Sequence, residues 1–144
     1  MAISDELTMT SQVSEEDRNR VCRGLFGYNV DRTEGLLKKP GLDVMLVLKD
    51  ERGEAMGGLF CDTFLYTLYL DVLWVDERYR GQGYGRQLLA EAERIAKEAG
   101  CIMAHTCTFS YQAPDFYQSQ GYEVFGVLDG YPGGIRQYFL KKQL

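Results

Sequence analysis

An arginine- and glycine-rich turn, RGQGYGR, lies between an apolar strand-like run and a helix-like run. The first N–H groups of a helix have no partners within the helix and lie at its positive end, so such a junction can bind an anion. Gly81, Gly83 and Gly85 allow the backbone to approach a ligand closely, and Arg80 and Arg86 add positive charge. The turn therefore predicts a phosphate-binding site, and with it a bound cofactor.

The spacing of the glycines excludes two common phosphate-binding motifs. A dinucleotide fingerprint, G-x-G-x-x-G, that starts at Gly81 and Gly83 would need a third glycine where Arg86 stands. A nucleoside triphosphate loop needs Lys and then Ser or Thr after its last glycine, but Arg86 and Gln87 follow Gly85. A plain strand-to-helix connection without a ligand is not excluded by spacing alone.

The hydrophobic pattern predicts the elements that position this turn. In chain order they are a helix from Ser14 to about Gly27, a loop from Tyr28 to Gly41, strands 43–49, 54–62 and 65–75, a long helix that Gly100 ends, a strand at 102–109, a short helix at 113–120, and strands 122–128 and 136–142. This order predicts an α/β fold in one domain over residues 1–144, with a mixed central sheet and helices on both faces.

Composition limits the classes of partner. The chain has 144 residues, of which 45% are hydrophobic, and a net charge of −5, which disfavours nucleic acid as a partner. The four cysteines form no C-x-x-C pair, and the first ten residues lack the pattern of a signal peptide. We therefore expect a cytoplasmic protein that binds no membrane and no metal. The strand edges and the last hairpin make a homodimer plausible.

Two motifs occur in the order in which a known family has them. Arg80, Gly83 and Gly85 satisfy the pattern Q/R-x-x-G-x-G/A, which follows an L-x-V strand at Leu73 and Val75. About thirty residues downstream, the segment APDFY is followed after three residues by Gly-Tyr, which matches A-x-x-(L/F)-Y-x-x-x-G-(F/Y). From Asp43 to the C terminus the chain thus resembles the GNAT superfamily, the Gcn5-related N-acetyltransferases, which use acetyl-CoA.

The resemblance implies a set of cofactor-binding residues. Backbone N–H groups from Gln82 to Arg86 would hold the pyrophosphate, the strand around Leu73 would pair with the pantetheine arm, and an amide near Leu73 would donate to the thioester carbonyl. The implied residues are Leu73, Trp74, Val75, Arg80, Gly81, Gln82, Gly83, Tyr84, Gly85, Arg86, Ser110 and Phe116. Ser110 departs from the family, because many members have Asn at that place.

The resemblance also places Tyr117 at the position of the family's general acid. A phenol with a pKa of about 10 can protonate a thiolate whose conjugate acid has a pKa near 8.5 as the bond breaks. Some members have a glutamate base where this chain has Tyr69.

Asp71 is our candidate base, because strand alternation places it on the side of Tyr69 and Leu73. Two alternatives stay open: Asp71 pairs with an arginine, or a water molecule deprotonates the amine. We interpret His105, Cys101 and Cys107 as structural residues.

The acceptor pocket is predicted from loops and aromatic side chains. Its candidates are Phe26, Tyr28 and Asn29 from the early loop, Tyr69 from the sheet, and Asp129 and Tyr131 from the late loop. Aromatic rings together with carboxylates suit a cationic amine.

We therefore predict an acetyl-CoA-dependent N-acetyltransferase that acts directly on a primary amine of a small molecule or peptide. The alternatives are a protein or aminoacyl-tRNA acetylating member and an inactive acyl-CoA sensor.

Overall fold

The computed structural model of the chain describes residues 6–38 and 40–144. It divides into two compact units, the first ending at Leu36 and the second running from Leu37 to Leu144. The first unit contains α1 (Glu15–Arg32). The second contains β1 (Asp43–Lys49), β2 (Ala55–Phe64), β3 (Thr67–Val75), α2 (Tyr84–Glu98), β4 (Met103–Phe109), α3 (Pro114–Ser119), β5 (Glu123–Leu128) and β6 (Gln137–Gln143).

Helix α1 begins where the sequence predicts and ends later. The Ser14 side chain accepts from the Asp17 N–H, and the Asp17 carboxylate accepts from the Ser14 N–H, so both partners of a capping box are present. The helix continues through Gly27 to Arg32, because a single glycine costs only about 1 kcal/mol within a helix. The predicted loop at Tyr28 is therefore wrong, and that residue is helical.

The six strands form one mixed sheet in the order β1-β2-β3-β4-β6-β5. β3 and β4 run parallel, and the other neighbouring pairs run antiparallel. The mixed α/β fold is thus confirmed, and the predicted strands lie within two residues of the observed bounds at both ends. Helices α2 and α3 share one hydrophobic core against this sheet.

The core forms because α2 carries an apolar face. Leu88, Leu89, Ala92 and Ala96 are buried against strand residues that alternate along the sheet. The fully buried members include Leu59, Leu68, Leu70 and Leu140. The helix that carries the glycine turn is therefore fixed firmly on the sheet.

Glu93 adds a polar contact between α2 and the last strand. Its Oε2 lies 2.9 Å from Lys142 Nζ, and its Oε1 accepts a hydrogen bond of 2.9 Å from the Tyr122 hydroxyl. Among the helices that the structure describes, none is long and apolar enough to cross a membrane.

Candidate functional site

A cleft opens where β3 and β4 stop pairing. Their parallel register ends at Leu70 opposite Thr106, and the Thr106 Oγ1 donates to the Leu70 carbonyl at 2.8 Å. Beyond this point both strands continue apart. The cleft has a volume of about 840 Å³ and is lined by Asp71, Leu73, Trp74, Val75, Tyr79, Arg80, Gly81, Gly83, Tyr84, Gly85, Arg86, Thr106, Cys107, Thr108, Tyr111, Gln112, Ala113, Phe116 and Tyr117.

A β-bulge lies at the start of the divergence. Cys61 of β2 pairs with Leu70 and Phe60 pairs with Val72, so Asp71 is the extra residue of β3. After the bulge, Leu73 packs against the same core as Leu70, although regular alternation would place the two on opposite faces. The predicted alternation of Asp71 with Tyr69 and Leu73 is therefore wrong.

Asp71 nevertheless lines the cleft, and it is exposed. Within residues 6–38 and 40–144 it forms no ion pair, so the arginine partner considered from the sequence is not observed among the described residues. Its carboxylate is accessible to a molecule that enters the cleft.

The diverging part of β3 presents backbone groups to the cleft. The Asp76 N–H donates to the Met56 carbonyl on the β2 side, so the Val75 carbonyl points the other way, toward the cleft. There it accepts a 2.8 Å hydrogen bond from Arg80 Nε. Because backbone groups alternate along a strand, the N–H and carbonyl of Leu73 point to the same side. This is the edge that an amide-rich arm could pair with.

The glycine turn has the geometry of an anion-binding helix start. Gly81 has a φ of 73° and Gly83, the N-cap of α2, a φ of 87°, and side-chain-bearing residues rarely adopt these values. No side chain caps the helix, and no acidic residue lies in its first turn. A Cβ atom on Gly83 would lie 3.6 Å from a terminal nitrogen of Arg86. The helix start therefore combines free N–H groups with a nearby positive charge.

Tyr117 lies at the inner end of the cleft. It is buried, at 7% exposure, and its ring packs edge-on against Phe116 at 5.3 Å and Tyr122 at 5.8 Å. Burial raises the pKa of Tyr117 because the phenolate loses solvation, and the Thr106 side chain partly opposes this rise. The phenol is therefore protonated at neutral pH.

The two sequence motifs touch at one point. A Cβ atom on Gly85 would lie 3.4 Å from the Phe116 ring, so this ring packs directly over the first turn of α2. The contact fixes α3, and with it Tyr117, relative to the glycine turn.

A second cluster lies beside the cleft. Tyr69 packs against His105 with ring centroids 5.0 Å apart, and its hydroxyl lies 3.5 Å from Cys107 Sγ. This hydrogen bond, together with burial, raises the pKa of Tyr69 to about 12. Burial lowers the pKa of His105, an effect that the charge of Asp62 partly opposes.

The other predicted residues have different surroundings. Ser110 Oγ accepts from the Arg136 N–H at 3.1 Å, and Gln82 Nε2 donates to the Arg78 carbonyl. Tyr131 packs edge-on against Phe109 at 5.4 Å and donates to Gln137. Tyr28 and Asn29 belong to α1 in the first unit. The roles given to these residues stay predictions.

The β4 side of the cleft contains residues that were not predicted from the sequence. Thr106 and Thr108 are buried there at 3% exposure each, and Tyr111 and Gln112 follow at the rim. The sequence does signal this side of the cleft, because Thr106 and Thr108 stand at alternate positions of a largely apolar strand.

In chemical terms, the cleft combines an anion-binding helix start, an unpaired strand edge and a protonated phenol. It can hold an extended ligand with a phosphate end and amide groups, with the reacting end beside Tyr117 and Asp71. A group that leaves as an anion could take a proton from the phenol.

The chain is similar to several known proteins. Residues 10–122 match the acetyltransferase (GNAT) family. A blasticidin-S acetyltransferase of Streptomyces morookaense is 44% identical over 95 residues, which are 65% of this chain and 70% of that protein. An acetyltransferase of Agrobacterium fabrum is 30% identical over 92% of this chain and 96% of its own length. The crystal structure of a Bacillus cereus acetyltransferase is 38% identical, covers 95% of this chain and 98% of its own, and superposes with a TM-score of 0.86.

Proposed function

This chain belongs to the acetyltransferase (GNAT) family and is an acetyltransferase of that type, and we propose that it transfers the acetyl group of acetyl-CoA directly to a primary amine. The acceptor in this proposal is a small molecule or a peptide. One observation carries the proposal: the divergence of β3 and β4 brings the start of α2 and the Tyr117 phenol into one cleft.

Two sets of contacts would hold the cofactor along the cleft. Its pyrophosphate would accept from the backbone N–H groups at the start of α2, with Arg86 nearby. Its pantetheine amides would pair with the strand edge at Leu73 and Val75. Arg80 Nε donates a hydrogen bond to the Val75 carbonyl in this structure. The guanidinium would therefore move aside when an amide N–H of the pantetheine arm bonds to the same carbonyl.

Tyr117 would act as the general acid. Attack of the amine on the thioester carbonyl gives an oxyanion, and its collapse expels the CoA thiolate. The buried phenol donates its proton to that thiolate.

Asp71 would remove the proton from the incoming amine. Its exposed carboxylate lines the cleft and has no ion-pair partner among the described residues. A water molecule that performs the same step is the alternative.

The similarity to a blasticidin-S acetyltransferase supports a small-molecule acceptor. The net charge of −5 disfavours a tRNA partner.

We also expect a homodimer, which light scattering on the purified chain would test.

The first test is binding of acetyl-CoA. At a concentration one hundred times its Kd, we expect about 2.7 kcal/mol of stabilisation and a higher melting temperature. Calorimetry that shows no binding of CoA or acetyl-CoA would overturn the proposal.

The second test is turnover, followed as thiol release from acetyl-CoA with a panel of amines that includes blasticidin S. We expect release with at least one small amine. Binding without release for small amines, peptides and charged tRNA would make the chain an acyl-CoA sensor.

A further inference from the structure

A row of polar side chains crosses the sheet on the face opposite α2. Asp62 of β2 lies opposite Tyr69 of β3, and Tyr69 lies opposite His105 of β4. Paired residues point to the same face of a sheet, whereas Leu68 and Leu70, on either side of Tyr69, are buried in the core that contains α2. We call Asp62, Tyr69 and His105 the polar row.

The polar row reaches the wall of the cleft. The Tyr69 hydroxyl lies 3.5 Å from Cys107 Sγ, and Cys107 lines the cleft. This hydrogen bond and burial raise the pKa of Tyr69, and the charges of Asp71 and Asp62 add to the rise. One phenol is therefore within electrostatic range of both carboxylates, the one in the cleft and the one in the polar row.

The negative charge at this end of the sheet is not balanced by the described residues. Asp62 also lies opposite Asp43 of β1, and like charges directly opposite each other on neighbouring strands are destabilising. Both carboxylates are exposed, and neither forms an ion pair in the described part of the chain. Burial lowers the pKa of His105 despite the charge of Asp62, so the ring is neutral at neutral pH and adds no positive charge.

Beyond His105, the same line of side chains ends in a balanced pair. Lys141 of β6 lies opposite His105, and Glu123 of β5 lies opposite Lys141. The Lys141 Nζ is 3.9 Å from the Glu123 carboxylate. The unbalanced charge is therefore at the β1–β3 end, beside the cleft.

We propose that Asp62 selects acceptors that carry a second cationic group, by pairing with that group while the reacting amine lies at Asp71. This inference rests on the proposed function. Asp62 is one strand to the side of β3 and two residues along it from Asp71, a separation of about 8 Å by sheet spacing. The Tyr69 and His105 rings, with centroids 5.0 Å apart, lie next to Asp62 and are suited to contact a cation.

The test compares 1,5-diaminopentane with pentylamine, which has the same chain but a single amine. For the wild-type chain, kcat/KM for the diamine should exceed that for pentylamine about tenfold, above the statistical factor of its two equivalent ends, as for a hydrogen bond between charged groups. Asp62→Asn keeps the size of the side chain and removes its charge, so this preference should fall about tenfold.

Thermal unfolding separates selection from a structural role. Asp62→Asn removes one of two like charges that lie opposite each other, so the melting temperature should stay the same or rise. A structural role would lower the melting temperature and reduce kcat/KM for both amines alike. Glu123→Gln is the matched control, because it removes a carboxylate from the balanced end of the same line, and the preference for the diamine should persist.

Two results would overturn the inference. Equal kcat/KM for the two amines, or turnover of other monoamines but not of the diamine, would show that a second cation is not recognised. A preference that Asp62→Asn retains, or that Glu123→Gln reduces equally, would place the recognition elsewhere. A chain that releases no thiol with any amine would instead refute the proposed function.

Discussion

Tyr117 illustrates how burial can favour a proton donor. The phenol is protonated because its surroundings disfavour the phenolate, and this also makes it a weaker acid than a solvated tyrosine. The Thr106 side chain partly opposes the rise in the pKa of Tyr117. Burial thus keeps the proton on the phenol, where it is available for transfer.

Replacing Tyr117 by Phe should lower kcat by about a hundredfold, because a positioned general acid contributes at least this much. The Kd for CoA should change by less than about twofold, since the ring still packs on Phe116 and Tyr122. Steady-state kinetics and calorimetry measure the two values. Tyr66→Phe, in the β2–β3 turn, is the control, and an equal loss of kcat there would contradict the assignment.

The pH profile provides an independent check of the same group. Only the protonated phenol can donate, and burial raises the pKa of Tyr117 above the ordinary value of 10.0. The value of kcat should therefore stay level through pH 9 and fall only at higher pH. The alkaline decrease should be absent from Tyr117→Phe. A decrease near pH 8 that persists in this variant would belong to another group.

Asp71→Asn tests the base. The variant keeps the size and position of the side chain but cannot accept the proton, so kcat/KM for the amine should fall about a hundredfold. Melting temperature should change little, because Asp71 is exposed and forms no ion pair in the described part of the chain. An unchanged kcat/KM would assign the step to water.

At the scale of elements, the glycine turn is set by backbone conformation. Gly83 has a φ of 87°, so alanine there should cost about 1 kcal/mol of folding stability and displace the N–H groups at the start of α2. Urea unfolding and CoA titration should show both losses. Gly27→Ala, within α1, should instead be neutral or stabilising, because its Cβ would meet no atom within 4 Å. Equal effects at both positions would contradict this explanation.

At the scale of the whole molecule, Glu93 links α2, β6 and the segment between α3 and β5. Tyr122→Phe removes the 2.9 Å hydrogen bond to its carboxylate and should cost about 1.5 kcal/mol in urea unfolding. Lys142 still neutralises Glu93, so the fold should persist. The matched control is Tyr66→Phe, where no loss is expected, and a Tyr122→Phe variant as stable as wild type would mean that water replaces the bond.

The strands and the two motifs could be predicted because both depend on local pattern. The β2–β3 turn is formed by Leu65 and Tyr66, with φ values of 48° and 62°, and neither residue type signals such a turn. The bulge at Asp71 depends on pairing with β2, and the polar row depends on the register of β2, β3 and β4. Such features arise from tertiary contacts, which periodicity along one chain does not contain.

The bulge also lets β3 differ in length at one position. Without Asp71, Val72 would follow Leu70 directly and still lie opposite Phe60, so Leu73 and Val75 would keep facing the core. The bulge thus accommodates one residue without inverting the half of β3 that faces the ligand, and a homologue that lacks this residue could form the same cleft wall without a compensating insertion.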